Sequence, residues 1–262
     1  MNFFDRVPLA PPDPILGLTG AFKGDPRPSK VNLGVGLYMG EDLVCRVMEA
    51  VKEAERELLT LETSKEYLPI DGDPQFVSLC GELIFGSVWW RASQSRVCGA
   101  QSVGGTSALR LGGALIKQEF PGVVYISHPT WPNHAGVFRG LGFQVENYPY
   151  YDIGRHQLHF EMMLEFLGTV PEGSIVLLHA SCHNPTGVDL TLSQWERVAE
   201  LCEQRGLFPF FDCAYQGFGA GLIEDVGAIR LFAERGMEMM VASSNSMSAR
   251  AIRCGSCSRP SA

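Results

Sequence analysis

Asp212 stands at the end of an apolar segment, and its position there needs a chemical explanation. It follows the run Leu207–Phe211, whose composition predicts a buried strand. A buried carboxylate without a partner is costly, so Asp212 needs a hydrogen-bond donor or a positive charge. It could cap a turn, or it could hold a protonated ring nitrogen at the carboxyl edge of an open α/β sheet, where ligands bind. The residues around Asp212 leave both roles open.

Two further segments place polar and aromatic groups after apolar runs. His183-Asn184-Pro185-Thr186-Gly187 follows Ile175–Ala180, so it is expected at the same edge of the sheet as the carboxylate described above. Taken alone, this segment is a good turn sequence. Trp131 and His134 follow the run that begins at Val123. The indole could stack on a planar ligand or pack in the core.

Glycine and cysteine pairs suggest other sites. Gly104-Gly105-Thr106 lies between a predicted strand and a predicted helix, where free N–H groups favour an anion, although such a turn is ordinary by itself. Gly34-Val35-Gly36 lacks the third glycine and the following helix of a dinucleotide site, so that reading is set aside. Cys254 and Cys257 form one C-x-x-C without a second ligand pair, so no metal site is predicted.

Short apolar segments alternate with helical patterns and would position these residues. The strands are apolar without alternation, as a sheet buried on both faces requires. The sequence therefore predicts an α/β fold with a mostly parallel sheet and helices on both faces. Strands are predicted at Arg96–Ser102, Val123–Ser127, Gln144–Tyr148, Ile175–Ala180, Leu207–Asp212 and Met239–Ser243, and helices at Thr106–Glu119, Leu192–Gln204 and Ala228–Glu234.

The two ends of the chain differ from this central pattern. Proline and glycine in Pro8–Pro28 predict an extended arm, and Val31–Leu33 predicts a short strand. Helical spacing of apolar residues predicts an amphipathic helix over Val44–Leu61. The tail Met247–Ala262 has no hydrophobic period, so we expect it to be disordered.

Bulk composition excludes several classes of partner. The 262 residues carry a net charge of −8, which disfavours nucleic acid, and no basic run suits an anionic membrane. No apolar stretch approaches the roughly 20 residues needed to cross a bilayer, and the N-terminus is not a secretory signal, so a cytoplasmic location is expected. The eight cysteines are then expected to be buried thiols rather than disulfides.

Six motifs in one order resemble the aspartate and aromatic aminotransferases, a family of fold-type I pyridoxal-phosphate enzymes. The resemblance runs from the N-terminus to about Ser246, roughly three-fifths of a full family member. The first motif is the family's opening, DPILGL at 13–18 with VNLGVGLY at 31–38. The other five are YLPIDG at 67–72, GGTSALR at 104–110, PTWPNH at 129–134, CHNPTG at 182–187 and FFDCAYQGF at 210–218.

The resemblance gives these motif positions roles. It implies pyridoxal 5′-phosphate as cofactor, bound through its phosphate, ring nitrogen and phenolic oxygen. The implied cofactor-binding residues are Gly104, Gly105, Thr106, Trp131, His134, Asn184, Asp212, Tyr215 and Ser244, with Tyr67 reaching the phosphate of the neighbouring subunit in a homodimer. The implied substrate-binding residues are Gly36, Trp131 and Asn184.

The family's domain organisation is expected to be incomplete in this sequence. The resemblance implies an N-terminal arm with part of a small domain over residues 1–45, followed by the pyridoxal-phosphate-binding large domain over 46–246. Residues 247–262 fall outside the motifs. By resemblance, a seventh strand of the sheet follows the lysine position and inserts between the sixth and the first, and its loss would leave two strand edges unpaired.

Met247 occupies the position where the family has its Schiff-base lysine. The family motif S-x-S-K is here Ser244-Asn245-Ser246-Met247, and the last lysine of the sequence is Lys117. The family's phosphate-binding arginine falls at Gly255. Methionine offers neither a nucleophile nor a base, so this chain is expected to lack catalytic residues and appreciable transamination.

Two explanations fit this departure from the family. A frameshift after Ser246 explains the methionine, the changed composition and the early end together. The alternative is a non-catalytic paralogue that binds the cofactor or forms dimers. A decarboxylase with the same cofactor is disfavoured by the HNPTG and WPNH segments. The choice between aspartate and aromatic substrates is left open.

Overall fold

The computed structural model describes residues 3–8, 16–31, 40–42, 44–120, 122–244 and 251–256, the last range through its backbone alone. The chain divides into two compact units, Met1–Leu61 and Glu62–Ala262. The strands are β1 (Val97–Ser102), β2 (Val124–His128), β3 (Val145–Pro149), β4 (Tyr151–Asp152), β5 (Gln157–Leu158), β6 (Ile175–His179), β7 (Phe208–Cys213), β8 (Met240–Ser244) and β9 (Ala251–Ser256).

Helices occupy several connections between these strands, the segment before β1 and two of the described parts of the first unit. They are α1 (Leu16–Gly24), α2 (Glu49–Leu61), α3 (Pro74–Phe85), α4 (Ser87–Ser93), α5 (Gly104–Glu119), α6 (Asn133–Arg139), α7 (Phe160–Thr169), α8 (Leu192–Arg205) and α9 (Gly227–Glu234). Short 3₁₀ turns cover Phe3–Arg6 and Glu224–Val226.

A seven-stranded sheet forms the centre of the second unit, in the order β1-β9-β8-β7-β6-β2-β3. Strands β8, β7, β6, β2 and β3 run parallel to one another, and β9 runs antiparallel to both β8 and β1. Strand β1 therefore points the same way as β8, and the carboxyl ends of six strands share one edge. A separate antiparallel hairpin joins β4 to β5.

Successive residues of the central strands pack into two different hydrophobic clusters, one on each face of the sheet. Phe210 lies in the cluster that contains Leu109 of α5 and Phe138 of α6. Its neighbour Phe211 lies in the other, with Trp195 of α8. Because side chains alternate along a strand, a sheet covered by helices on both faces must be apolar at every position. The α/β prediction is confirmed, and each of the six strands predicted between residues 96 and 243 lies within about one residue of an observed one.

Helix α8 illustrates how sequence signals fix an element and its buried face. Thr191 forms a capping box with Gln194, in which each side chain bonds the other's backbone N–H. The buried residues Trp195, Val198 and Cys202 then recur at helical spacing. The predicted helices at Thr106–Glu119, Leu192–Gln204 and Ala228–Glu234 are confirmed as α5, α8 and α9.

The N-terminal predictions need correction. The predicted extended arm over Pro8–Pro28 contains helix α1, in which Leu18 and Phe22 supply apolar positions one turn apart. Helix α2 begins at Glu49 instead of Val44, and an acidic residue in the first turn complements the helix dipole there. None of the α2 side chains is buried. The predicted strand at Val31–Leu33 lies mostly outside the described residues.

The prediction of a disordered tail is wrong for Ala251–Ser256. These residues form β9, which pairs along its whole length with β1 and along most of it with β8. Backbone N–H and C=O groups make such ladders whatever the side chains are, so the missing hydrophobic period did not prevent a strand. The expected unpaired edges of β1 and β8 are therefore paired.

The cysteines only partly match the expectation of buried thiols. Of the six cysteines whose side chains are described, Cys80, Cys202 and Cys213 are buried. Burial raises the pKa of the Cys202 and Cys213 thiols to about 12. Cys45 and Cys98 are exposed, contrary to the expectation.

Candidate functional site

The shared carboxyl edge of the sheet brings together segments that are distant in sequence. Strand β6 ends with His179 paired in register with Asp212 of β7. In β7 and β8, Cys213 is paired with Ser243, so Ser244 extends just beyond Asp212. The segment after β2 carries Trp131 and His134 to this edge. Four chain segments therefore contribute side chains to one site.

Asp212 and His134 form a buried pair at this edge. His134 Nε2 lies 2.8 Å from Asp212 Oδ2. The histidine is fully buried at 0% exposure, and Asp212 is 8% exposed. The hydrogen bond from His134 uses Oδ2, so this bond leaves Oδ1 able to accept another donor. The partner required by the burial of Asp212 is therefore His134, a residue 78 positions away in sequence.

A chain of hydrogen bonds fixes the orientation of the His134 ring. The backbone N–H of Asn184 donates to His179 Nδ1 at 3.2 Å, so the proton of that neutral ring is on Nε2. His179 Nε2 donates to Thr130 Oγ1 at 3.1 Å, and the Thr130 hydroxyl donates to His134 Nδ1 at 2.8 Å. His134 must then carry its proton on Nε2 and donate it toward Asp212.

Burial keeps the supporting histidines uncharged. It lowers the pKa of His179 to about 3, with the neighbouring His183 as the second cause. Burial likewise lowers the pKa of His183 to about 4. His183 is held between two hydroxyls, with Nε2 2.9 Å from Ser127 Oγ and Nδ1 2.8 Å from Thr186 Oγ1. The direction of the hydrogen-bond chain is therefore stable near neutral pH.

Aromatic rings pack side by side next to this chain. The Tyr150 and His183 rings stack with centroids 3.8 Å apart and planes within 10°. His183 lies 4.2 Å from His179, which meets His134 edge-on at 5.0 Å. The half-buried Trp131 also meets His134 edge-on, at 5.3 Å and 84°. Both interpretations of Trp131 are compatible with this position, because a perpendicular contact with one ring leaves indole surface for a ligand.

The start of α5 lies against the end of β8. A Cβ atom at Gly105 would be 2.9 Å from Ser244 Cβ and 3.2 Å from Ser244 Oγ, so only glycine fits. Gly104 has a φ of +70°, a conformation that side chains disfavour. Val103 provides no side-chain cap, so the first N–H groups of α5, including that of the exposed Thr106, are not capped by it. N–H groups and a hydroxyl thus converge, as anion binding requires.

Asn184 and Tyr215 meet at the same edge. Asn184 Nδ2 lies 3.5 Å from Tyr215 Oη, at the limit of a hydrogen bond. Both side chains are half-buried. An amide and a phenol held at this separation can each donate to one oxygen atom placed between them.

One residue predicted from the sequence, Tyr67, is not brought into this group. The Tyr67 side chain is fully exposed, at 104%. Gly36 and Met247 lie outside the described residues. Cys254 and Cys257, the pair set aside as a metal site, have no described side chains.

His179 and Thr130 were not singled out from the sequence, although the structure makes them part of the site. His179 ends the buried run Ile175–His179 at the same edge as Asp212. Like Asp212, His179 is a polar group at the end of a buried strand, and this position is the sequence signal for it. Thr130 has no comparable signal, because a threonine beside a proline is an ordinary turn residue.

Other kinds of site receive no support from the described part of the chain. It contains no cluster of three or more histidine, cysteine or acidic side chains arranged to bind a metal ion. None of its helices is long and apolar enough to span a membrane.

Comparison with known proteins identifies the family. Residues 28–262 match the family model of class I and II aminotransferases, a range that continues past Ser246, to which the resemblance in the sequence was followed. The chain is 46% identical over 244 residues to aspartate aminotransferase of Salmonella typhi, covering 93% of this chain and 62% of that protein. It is 45% identical over 243 residues to tyrosine aminotransferase of Klebsiella pneumoniae, with 92% and 61% covered.

Solved structures agree with this result. Aromatic-amino-acid aminotransferase from Burkholderia pseudomallei, covalently bound to pyridoxal phosphate, superimposes with a TM-score of 0.94 at 42% identity. The match covers 98% of this chain and 66% of that one. The chain belongs to the class I and II aminotransferase family and has the α/β fold of its fold-type I members. It spans about three-fifths of the length of the curated relatives given above.

Proposed function

We propose that this chain forms the pyridoxal-phosphate pocket of an aspartate or aromatic aminotransferase. In that family, an amino group is transferred between an L-amino acid and a 2-oxo acid. The observation that carries the proposal is the hydrogen-bond chain that ends on Asp212. It holds a buried carboxylate in one orientation, with one oxygen available, at the edge where ligands of α/β sheets bind.

The donor and acceptor groups at this edge fit the cofactor. Pyridoxal phosphate, when bound, supplies a protonated ring that takes up the electron pair left as a substrate loses its Cα proton. Asp212 would keep the proton on the ring nitrogen, because a nearby carboxylate favours the charged form. Trp131 would stack on the ring. Asn184 and Tyr215 would donate to the phenolic oxygen.

The phosphate would lie at the start of α5. The backbone N–H groups of Gly105 and Thr106 and the hydroxyl of Ser244 would bind its oxygens, and Gly104 would give the turn its shape. The close approach of Gly105 to Ser244 supports this assignment, since it leaves backbone rather than side chain at the surface. An anion there also gains from the positive end of the helix dipole.

Substrate and subunit contacts complete the proposal. Gly36, Trp131 and Asn184 would contact the substrate. The full exposure of Tyr67 suits a residue that completes the phosphate site of a second subunit in a homodimer.

We expect binding without appreciable turnover. Position 247 offers no amine for covalent attachment and no base for proton transfer, and loss of a general base alone costs roughly 10²–10⁴-fold. The alternative is that the chain is a non-catalytic paralogue that binds the cofactor or forms dimers. Such a paralogue would have the same pocket but no role in transamination.

Cofactor titration followed by borohydride reduction tests the proposal. The purified chain should take up one equivalent of pyridoxal phosphate, seen as an absorption change, and release it on dialysis even after reduction. The Met247→Lys variant should retain reduced cofactor on that lysine, identified by mass spectrometry, and Met247→Leu should not. Failure of the parent chain to bind, with Asp212→Ala giving the same null titration, would refute the proposed pocket.

A further inference from the structure

Two acidic residues outside the site each hold one of the loops that carry Asn184 and Tyr215. We define the first loop as residues 181–187, after β6, and the second loop as residues 215–221, after β7. Asp189 binds backbone N–H groups of the first loop, and Asp225 binds those of the second. None of the proposed cofactor contacts uses either carboxylate.

Asp189 fixes an unfavourable backbone conformation directly before Asn184. Its Oδ2 accepts from the N–H of Cys182 at 2.7 Å, and its Oδ1 accepts from the N–H of His183 at 2.8 Å. Cys182 has a φ of 49°, in the left-handed region that a cysteine rarely adopts. A carboxylate that takes both N–H groups offsets that cost and sets the direction in which Asn184 leaves the loop.

Asp225 binds the second loop more extensively. Its Oδ2 accepts from the N–H groups of Gly217 and Gly219 at 2.8 and 2.9 Å. Its Oδ1 accepts from those of Ala220 and Gly221 at 2.7 and 3.3 Å. Burial opposes ionisation of Asp225, but these donors outweigh it and hold the pKa of the carboxyl below its ordinary value. The loop that follows Tyr215 is therefore wrapped around one buried charge.

The two loops also contact each other at Gly219. A Cβ at Gly219 would lie 2.7 Å from Asp225 Oδ1 and 3.1 Å from Cys182 Sγ. The second loop thus closes on both its own carboxylate and the cysteine of the first loop. If either loop is displaced, the other must move as well, because the two loops are packed against each other at Gly219 without a gap.

We infer that Asp189 and Asp225 are positioning residues that together set the separation of the Asn184 amide and the Tyr215 phenol. The inference rests on the proposed function, in which these two groups donate to the phenolic oxygen of the cofactor. The observed Nδ2–Oη distance of 3.5 Å is then a property of two held loops rather than of a bond between the two side chains.

Hydrogen exchange across the loops tests the inference without cofactor. In Asp225→Asn, the amides of the first loop should exchange about tenfold faster or more, although Asp225 bonds none of them. In Asp189→Asn, the second loop should respond likewise. The matched control is Asp152→Asn, because Asp152 accepts two backbone N–H groups in the remote β4–β5 turn. Unchanged exchange in the opposite loop, or an equal change in the control, would overturn the inference. If one variant does not fold, the other decides.

The absorption band of bound cofactor supplies a second readout. The pH at which this band titrates should shift by about one unit or more in Asp225→Asn, since the phenolic oxygen loses an aligned donor. In a Tyr215→Phe background, the same substitution should add no further shift. An equal shift in both backgrounds contradicts action through Tyr215. A parent chain that takes up no cofactor refutes the proposed function, and the exchange measurement still decides whether the carboxylates couple the loops.

Discussion

Two adjacent residues of β7 enter opposite kinds of environment. Phe211 is fully buried in the cluster around α8 and α9, where its ring lies 5.1 Å from that of Phe232 and 5.8 Å from that of Trp195. Asp212 points to the other face and to the sheet edge, where its partner is His134. The Phe211 ring packs against several apolar side chains without a directional requirement. The Asp212 carboxylate instead accepts a hydrogen bond from one specific atom, His134 Nε2.

The two environments should therefore contribute to different properties, the apolar one to stability and the polar one to the chemistry of the site. Burial of apolar area is non-directional and scales with the area removed from water, so the aromatic cluster should dominate the free energy of unfolding. The polar chain from Asn184 to Asp212 fixes proton positions and costs free energy if any member is left unpaired. Substitutions in the two regions should therefore change different observables.

The largest expected loss of stability comes from the aromatic cluster. Phe232→Ala should lower the free energy of unfolding by about 3–5 kcal/mol, because it removes a fully buried ring and leaves a cavity. Urea denaturation followed by circular dichroism measures this loss. Leu192→Ala, on the exposed side of α8, is the control and should stay within about 0.5 kcal/mol. A loss below about 1 kcal/mol for Phe232→Ala would contradict the comparison.

Acidification should destabilise the polar region next. The pKa values of His179 and His183 are about 3 and 4 in the folded chain, below the ordinary value near 6.5. Between about pH 6.5 and 4 the unfolded chain binds more protons, so stability that is present above this window is lost as pH falls. Each histidine contributes at most about 1.4 kcal/mol per pH unit. Urea titrations at several pH values measure the slope, which His183→Gln should reduce; an unchanged slope would exclude His183 as a source.

Thr130→Val should break the hydrogen-bond chain at its centre. The variant leaves His134 Nδ1 and the His179 Nε2–H unpaired, which should cost about 1–3 kcal/mol of unfolding free energy. Thr130→Ser keeps the hydroxyl and should lose less than half as much. Equal losses in the two variants would show that the methyl group, rather than the hydroxyl, supports the site.

Asp212→Asn should have the smallest effect on stability and a clear effect on cofactor binding. The amide is isosteric and can still accept from His134, so the free energy of unfolding should change by less than about 1 kcal/mol. Affinity for pyridoxal phosphate should fall roughly 10–100-fold, because a charge-assisted bond is lost. Absorption titration measures the affinity, with Asp152→Asn as the control. Unchanged affinity would remove Asp212 from the proposed cofactor site.

Much of the fold could be predicted from short segments. The runs ending at His179 and Asp212 are apolar throughout, which is a local property and identifies strands buried on both faces. The capping signal at Thr191 is also local. The tail strand Ala251–Ser256 could not be predicted in this way, since its pairing depends on two edges contributed by β1 and β8.

The sequence alone determined which residue types stand at the ends of the strands, and the motif order around Gly105, Trp131, Asn184 and Asp212 identified the family. Tertiary structure decided which of their atoms meet. The proton on His134 Nε2 is fixed by a backbone N–H 50 residues later, at Asn184, through His179 and Thr130. Hydrogen bonds depend on distance and angle between atoms, and residues far apart in sequence acquire these only when the sheet sets their register.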